Sequence, residues 1–216
     1  MTNNTRRNLL KNSLLSIGAI SIASKSALAT SCGLTPAQTE GPFYPIQDQL
    51  DKDSDLTFVN SRFLRAQGEV IILKGIVIGS ECSPVENALV EIWQACASGK
   101  YNHPGDPNPA KLDPNFQYWG RAITNSKGEY SFRTIIPGQY QATSTWMRPS
   151  HIHFKVHKRG YEELTSQLYF KGDRFNADDR ILQSLSQSDQ KNVIVDFIKL
   201  DDGPRVGHFN ITIKEI

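Results

Sequence analysis

The chain is poor in cysteine, with three in 216 residues, and poor in excess charge, with 24 basic against 22 acidic side chains. Three cysteines are too few for a disulfide scaffold, and 15 Gly and 11 Pro without a repeat exclude collagen-like and low-complexity classes. No apolar run reaches the roughly 18 residues of a membrane span. Four of the basic residues, Arg6, Arg7, Lys11 and Lys25, lie in the first 29 positions, which hold no acid, so from Thr30 onward 20 basic residues face 22 acidic ones. So neutral a body gives no electrostatic footing for nucleic acid or an anionic membrane as partner. With 38% hydrophobic and 21% charged residues and no composition shift, the remainder reads as one globular domain.

The leading segment reads as targeting, not fold. Thr5-Arg6-Arg7-Asn8-Leu9-Leu10-Lys11 precedes an apolar stretch, residues 14–23, that ends in the small-x-small pattern Ala27-Leu28-Ala29. This predicts an export signal over residues 1–29, then one domain over residues 30–216. The arginine pair points to the twin-arginine route, which carries folded proteins, and so to a periplasmic location; an ordinary secretory signal is the alternative. Ala29-Thr30-Ser31 is a poor lipoprotein pattern, so a soluble exported form is preferred over a lipid anchor at Cys32 and over stable membrane insertion. A strand of about seven residues between Cys82 and Cys96, at roughly 3.3 Å each, disfavours a bridge between those two. A bridge from Cys32 to either stays open.

Strand signals dominate the body. Residues 69–79 are β-branched, residues 88–95 alternate, and the Ser83-Pro84 and Glu86-Asn87 turn residues between them suggest a hairpin with a long loop. A second hairpin is expected from residues 121–124 and 129–135 around Asn125-Ser126-Lys127-Gly128, with Gly128 supplying positive φ. Further strands are expected over 151–157, 166–170, 192–199 and 206–214. The one helix candidate is residues 177–186, where Ile181, Leu182 and Leu185 keep a 3.6 period behind an Asn176 cap. The fold class is all-β, a two-sheet sandwich with long loops at the site and one short helix in the C-terminal half.

Chemistry concentrates in Arg148-Pro149-Ser150-His151-Ile152-His153-Phe154. On a strand His151 and His153 share one face, where two imidazoles can share a metal; solvent-facing histidines of a half-buried strand would look the same. His103, His157 and His208 have no comparable spacing, and no Cys, Asp or Glu near the pair completes a zinc or two-His-one-carboxylate pattern. Tyrosines follow glycines in Gly99-Lys100-Tyr101 and Pro137-Gly138-Gln139-Tyr140. As ligands they need an ion acidic enough to pull a phenol far below its ordinary pKa, as ferric iron does; as ordinary residues they are loop aromatics packed on a sandwich.

Thr39-Glu40-Gly41-Pro42-Phe43-Tyr44-Pro45, Val90-Glu91-Ile92-Trp93-Gln94-Ala95, Gly128-Glu129-Tyr130-Ser131-Phe132-Arg133-Thr134-Ile135, Gln167-Leu168-Tyr169-Phe170 and Gly172-Asp173 interleave with these motifs. In that order they resemble the intradiol ring-cleaving catechol dioxygenases, densely over residues 35–173 and loosely beyond. The resemblance implies one non-haem Fe(III) bound by Tyr101, Tyr140, His151 and His153, with Tyr140 leaving the metal when substrate arrives. It makes Arg148 and Gln167 active-site residues beside Tyr140, and a catechol-type diol and O2 the substrates, without external reductant or organic cofactor. It leaves the catechol unnamed: protocatechuate, catechol, hydroxyquinol or a substituted ring.

The chain departs from the family pattern in the loop of residues 141–147, expected with segment 54–65 to set substrate choice. The start at Thr35-Pro36-Ala37 leaves no room for the helical dimerisation domain of catechol 1,2-type members, so the build is closer to a protocatechuate-type subunit, and a homo-oligomer is one assembly open to it. A non-catalytic sandwich module of transthyretin-like or carboxypeptidase-regulatory type is the alternative, since Gly128 to Phe132 followed by Gly138-Gln139-Tyr140 fits such domains too.

Overall fold

The structure is a computed structural model and describes residues 32–49, 51–59 and 63–216; the expected export signal lies outside the described residues. Strand β1 (Val70–Gly79) alternates, burying Ile71, Leu73 and Val77 completely. It is followed by β2 (Leu89–Trp93), β3 (Trp119–Ile123), β4 (Glu129–Ile135), β5 (Tyr140–Thr143), β6 (Trp146–Arg148), β7 (His151–His157) and β8 (Leu164–Phe170). A short helix α1 (Gln187–Val193) and strands β9 (Ile194–Val195), β10 (Ile198–Lys199), β11 (Arg205–His208) and β12 (Ile211–Ile213) complete the chain. One five-stranded sheet runs β10-β11-β1-β12 with β4 on β1, and the other runs β3-β2-β7-β8-β9; β5 and β6 form a separate ribbon. The two sheets bury Phe132, Ile92, Ile152, Phe154 and Leu168 between them, and Phe154 meets Phe209 edge-on at 4.9 Å. The all-β sandwich expected from the strand pattern is the fold observed.

Neither expected hairpin is one. β1 pairs antiparallel with β4, whereas β2 pairs with β3 and β7, so the links from β1 to β2 and from β3 to β4 each cross from one sheet to the other. The turn at residues 125–128 is present, with Gly128 at φ +73° and its N–H donating to the Asn125 carbonyl at 2.8 Å. Alternating apolar residues on both flanks satisfy a crossing between sheets as well as they satisfy a hairpin, and turn chemistry alone does not choose.

The expected helix over 177–186 is replaced by two 3-10 turns, Asn176–Asp178 and Leu182–Ser184, with α1 beginning only after Ser186, whose hydroxyl accepts the Asp189 N–H at 3.1 Å. Asp179 takes extended backbone and its carboxylate accepts the Leu182 N–H at 2.8 Å, restarting the chain where a helix would continue. Asn176 is not a cap; its amide donates to the Phe170 carbonyl. The strands expected over 192–199 and 206–214 are each divided, the first into the end of α1, β9 and β10, the second into β11 and β12. β1 pairs with β11 through Lys74 and with β12 from Val77, and at the switch a Cβ on Gly75 would meet the Phe209 carbonyl at 1.9 Å.

Cys32 is bridged to Cys82, and Cys96 is free and buried. From the bridge a strap crosses the sandwich: Thr35 exchanges hydrogen bonds with Thr212, and the Gln38 N–H donates to the Thr165 carbonyl at 2.9 Å. The strap delivers Thr39 to Tyr44 to the end of β7 and β8.

Candidate active site

β7 is buried on both faces. Ile152 and Phe154 enter the sandwich core, which turns His151 and His153 to the opposite side, where both are buried and their rings lie 4.9 Å apart. The His151 Nδ1–H donates to the Pro149 carbonyl at 2.7 Å, leaving Nε2 as the free lone pair, 3.2 Å from the Tyr101 hydroxyl. His153 stacks on Trp93 at 4.7 Å, and its buried Nδ1 has no hydrogen-bond partner.

Two loops bring in the tyrosines, and glycines explain how. Gly99 sits at φ +79°, turning the chain after β2, with the Tyr101 N–H held by Asp106 at 2.7 Å. Gly138 serves close approach instead of positive φ: a Cβ there would lie 2.4 Å from both the Ala97 carbonyl and the Gly99 nitrogen. The loops are stitched backbone to backbone, and the rings of Tyr101 and Tyr140 meet edge-on at 5.5 Å, Tyr140 lying 5.7 Å from His151. Among the described residues no three or more His, Cys, Asp or Glu cluster as a metal site, and what converges here is two imidazoles and two phenols.

Burial governs the protonation of all four. It pushes both phenols up, Tyr101 the further, with the neighbouring Tyr140 adding to it and Arg148 opposing. It pushes both imidazoles well below their usual range, helped by the Arg148 charge. Burial thus favours neutral imidazoles, the ligating form, and opposes ionisation of the phenols unless a strong cation compensates. With the orphaned His153 nitrogen, these four donors fit a trivalent metal ion.

Arg148 and Gln167 also converge. Arg148 is buried, its Nη2 donates to Gln167 Oε1 at 2.7 Å, and its Nε donates to Asp179 at 2.7 Å. The Gln167 amide donates to the Thr39 carbonyl of the strap at 2.9 Å. The cavity beside them is about 280 Å³, with Pro42, Phe43, Tyr140, Trp146, Arg148 and Ile181 in its wall. A larger groove of about 800 Å³, near Lys74, Arg121 and His208, holds none of the four donors. Gln141 and Ala142 line the small cavity, as expected of the loop over 141–147. Segment 54–65 contributes none of its described residues; Asp55 and Leu56 lie along β4 instead, Leu56 bonding the Arg133 carbonyl. Asp179 and Ile181 went unrecognised because the helical period placed them on a helix.

A family model described as Dioxygenase matches residues 39–212, and the protocatechuate 3,4-dioxygenase beta chain of Burkholderia cepacia is 37% identical over 180 residues, 80% of this chain and 76% of that one. The chain belongs to the intradiol ring-cleaving dioxygenase family. Catechol 1,2-dioxygenase 2 of Acinetobacter lwoffii is 32% identical over 68% of this chain, which spans only 55% of that relative's length. Among solved structures, the dioxygenase domain of a dioxygenase carbohydrate-binding protein fusion from Streptomyces sp. SirexAA-E aligns with TM-score 0.63 and 27% identity, covering 85% of this chain and all of that one. Membership in the intradiol family does not favour the non-catalytic sandwich module.

Proposed function

We propose that this chain is an Fe(III)-dependent intradiol dioxygenase that adds both atoms of O2 to a catechol-type diol and opens the ring between the hydroxylated carbons, giving a muconate-type diacid. The observation that carries the reading is the convergence of Tyr101, Tyr140, His151 and His153, with Tyr140 and His153 in the wall of a ring-sized cavity that Arg148 also lines. Held there by the two phenols and two imidazoles, ferric iron would supply the Lewis acidity that makes a bound diol reactive toward O2. His151 and His153 enter as neutral donors, so only the phenols give up protons on loading. Tyr140, in the cavity wall, would be one of the two phenols that hold the iron, and as a phenolate it would be a base within reach of a substrate hydroxyl in that cavity. Arg148 offers a fixed cation to negative charge building on the ring, and Phe43, Trp146 and Ile181 exclude water.

We propose also that the protein works after export, as a soluble periplasmic enzyme. The Cys32–Cys82 bridge supports an oxidising compartment and occupies the thiol that a lipid anchor would need. The test is turnover of catechol and of protocatechuate under ¹⁸O2 by iron-loaded protein. A ring-opened diacid carrying both labelled atoms is the expected product; an extradiol product, a single label or no turnover of any catechol contradicts the proposal.

A further inference from the structure

We infer that Asp179 is a positioning residue of this reaction, holding the Arg148 guanidinium in the orientation that serves the substrate; the inference rests on the dioxygenase reading above. Asp179 is fully buried and Arg148 nearly so, and their Nε–Oδ2 bond is 2.7 Å. The second carboxylate oxygen, Oδ1, is fixed in turn by the Leu182 N–H at 2.8 Å. On the opposite side Gln167 Oε1 accepts Nη2 at 2.7 Å, and Gln167 is itself held by the Thr39 carbonyl and by the Tyr169 hydroxyl at 3.2 Å. Asp179 and Gln167 thereby hold two of the three guanidinium nitrogens from opposite sides, which fixes the plane of the group, while the Tyr140 and Tyr169 hydroxyls also lie in hydrogen-bonding reach of it. Trp146, 5.4 Å from the guanidinium carbon, flanks it in the cavity wall.

A guanidinium on a flexible side chain would lose entropy and reorganise at the moment charge develops; one clamped on both sides has done so during folding. The carboxylate also balances a buried cation that would otherwise stand uncompensated before substrate binds. Because Asp179 sits in the turn that carries Ile181 into the cavity, the same residue ties the pocket wall to the group that reads charge.

The test is a double-mutant cycle on the iron-loaded chain with catechol as substrate: wild type, Asp179→Asn, Arg148→Gln and both together. Asp179→Asn is expected to lower kcat by about 10- to 100-fold with KM and the visible tyrosinate band near those of wild type. In the Arg148→Gln background the same change is expected to lower kcat no further, because Asp179 acts only through Arg148. A residue that merely caps the turn would multiply its loss onto that of Arg148→Gln. Multiplied losses, or wild-type kcat in Asp179→Asn, overturn the inference. If Asp179→Asn alone fails to fold, the doubly substituted chain, in which neither charge is buried alone, is compared with Arg148→Gln, and a lower kcat in the double overturns it. An active wild type with indifferent Asp179 variants removes this inference alone; an inactive wild type removes the dioxygenase reading with it.

Discussion

Replacing Cys32 and Cys82 together by Ser frees the strap that runs from the bridge to the active site. The bridge joins residues 50 apart, and the loop-closure entropy removed from the unfolded chain amounts to about 4 kcal/mol for a loop of that length. For a domain of this size that corresponds to a fall in Tm of about 8–16 °C. The assay is thermal unfolding of the metal-free protein by circular dichroism, oxidised and reduced, beside the double Ser variant. Reduction should lower the wild-type Tm to that of the variant and leave the variant unmoved. The effect should also reach the site, because Thr39 holds Gln167 and Pro42 and Phe43 wall the cavity, so KM for catechol should rise in the variant. A Tm shift below about 2 °C would refute the reasoning, since it would mean the Thr35 and Gln38 bonds already hold the strap without the bridge.

Gly138→Ala should drive the two tyrosine loops apart, since its Cβ would stand 2.4 Å from backbone atoms of Ala97 and Gly99; iron content per chain should drop, with about 1–3 kcal/mol of stability lost. His151 and His153 are held neutral by burial and by Arg148, so below about pH 6.5 the unfolded chain binds protons that the folded chain refuses. Stability of the metal-free protein should therefore fall as pH drops from about 7 to about 5, by up to about 1.4 kcal/mol per pH unit per histidine; urea unfolding should show this slope and a His151→Asn/His153→Asn variant should flatten it. Phe154→Ala, at a position with no solvent exposure, should cost about 3–5 kcal/mol in the same unfolding assay.

The part of the candidate site that can be read from sequence is the part whose chemistry is local. An H-x-H on a strand declares a shared face whatever the strand pairs with, and Arg148 lies on the same short run. Tyr101 and Tyr140 needed the resemblance, since only the fold brings Gly99 against Gly138. Strand pairing was not legible: the pattern shows which residues face inward, and β1 and β2 face inward from opposite sheets. Asp179 was hidden because a period of three apolar residues outweighed the carboxylate that breaks it. The partner of Cys32 depended on the path of the strap, which carries no periodic signal.

The most direct test of the central claim is the visible spectrum, with iron analysis, of the iron-loaded protein before and after addition of catechol without oxygen. The account expects about one iron per chain and a red-brown tyrosinate-to-iron band that shifts on catechol binding and is weakened in Tyr101→Phe. A protein that stays colourless and iron-free after reconstitution, or a band indifferent to loss of Tyr101, would contradict it.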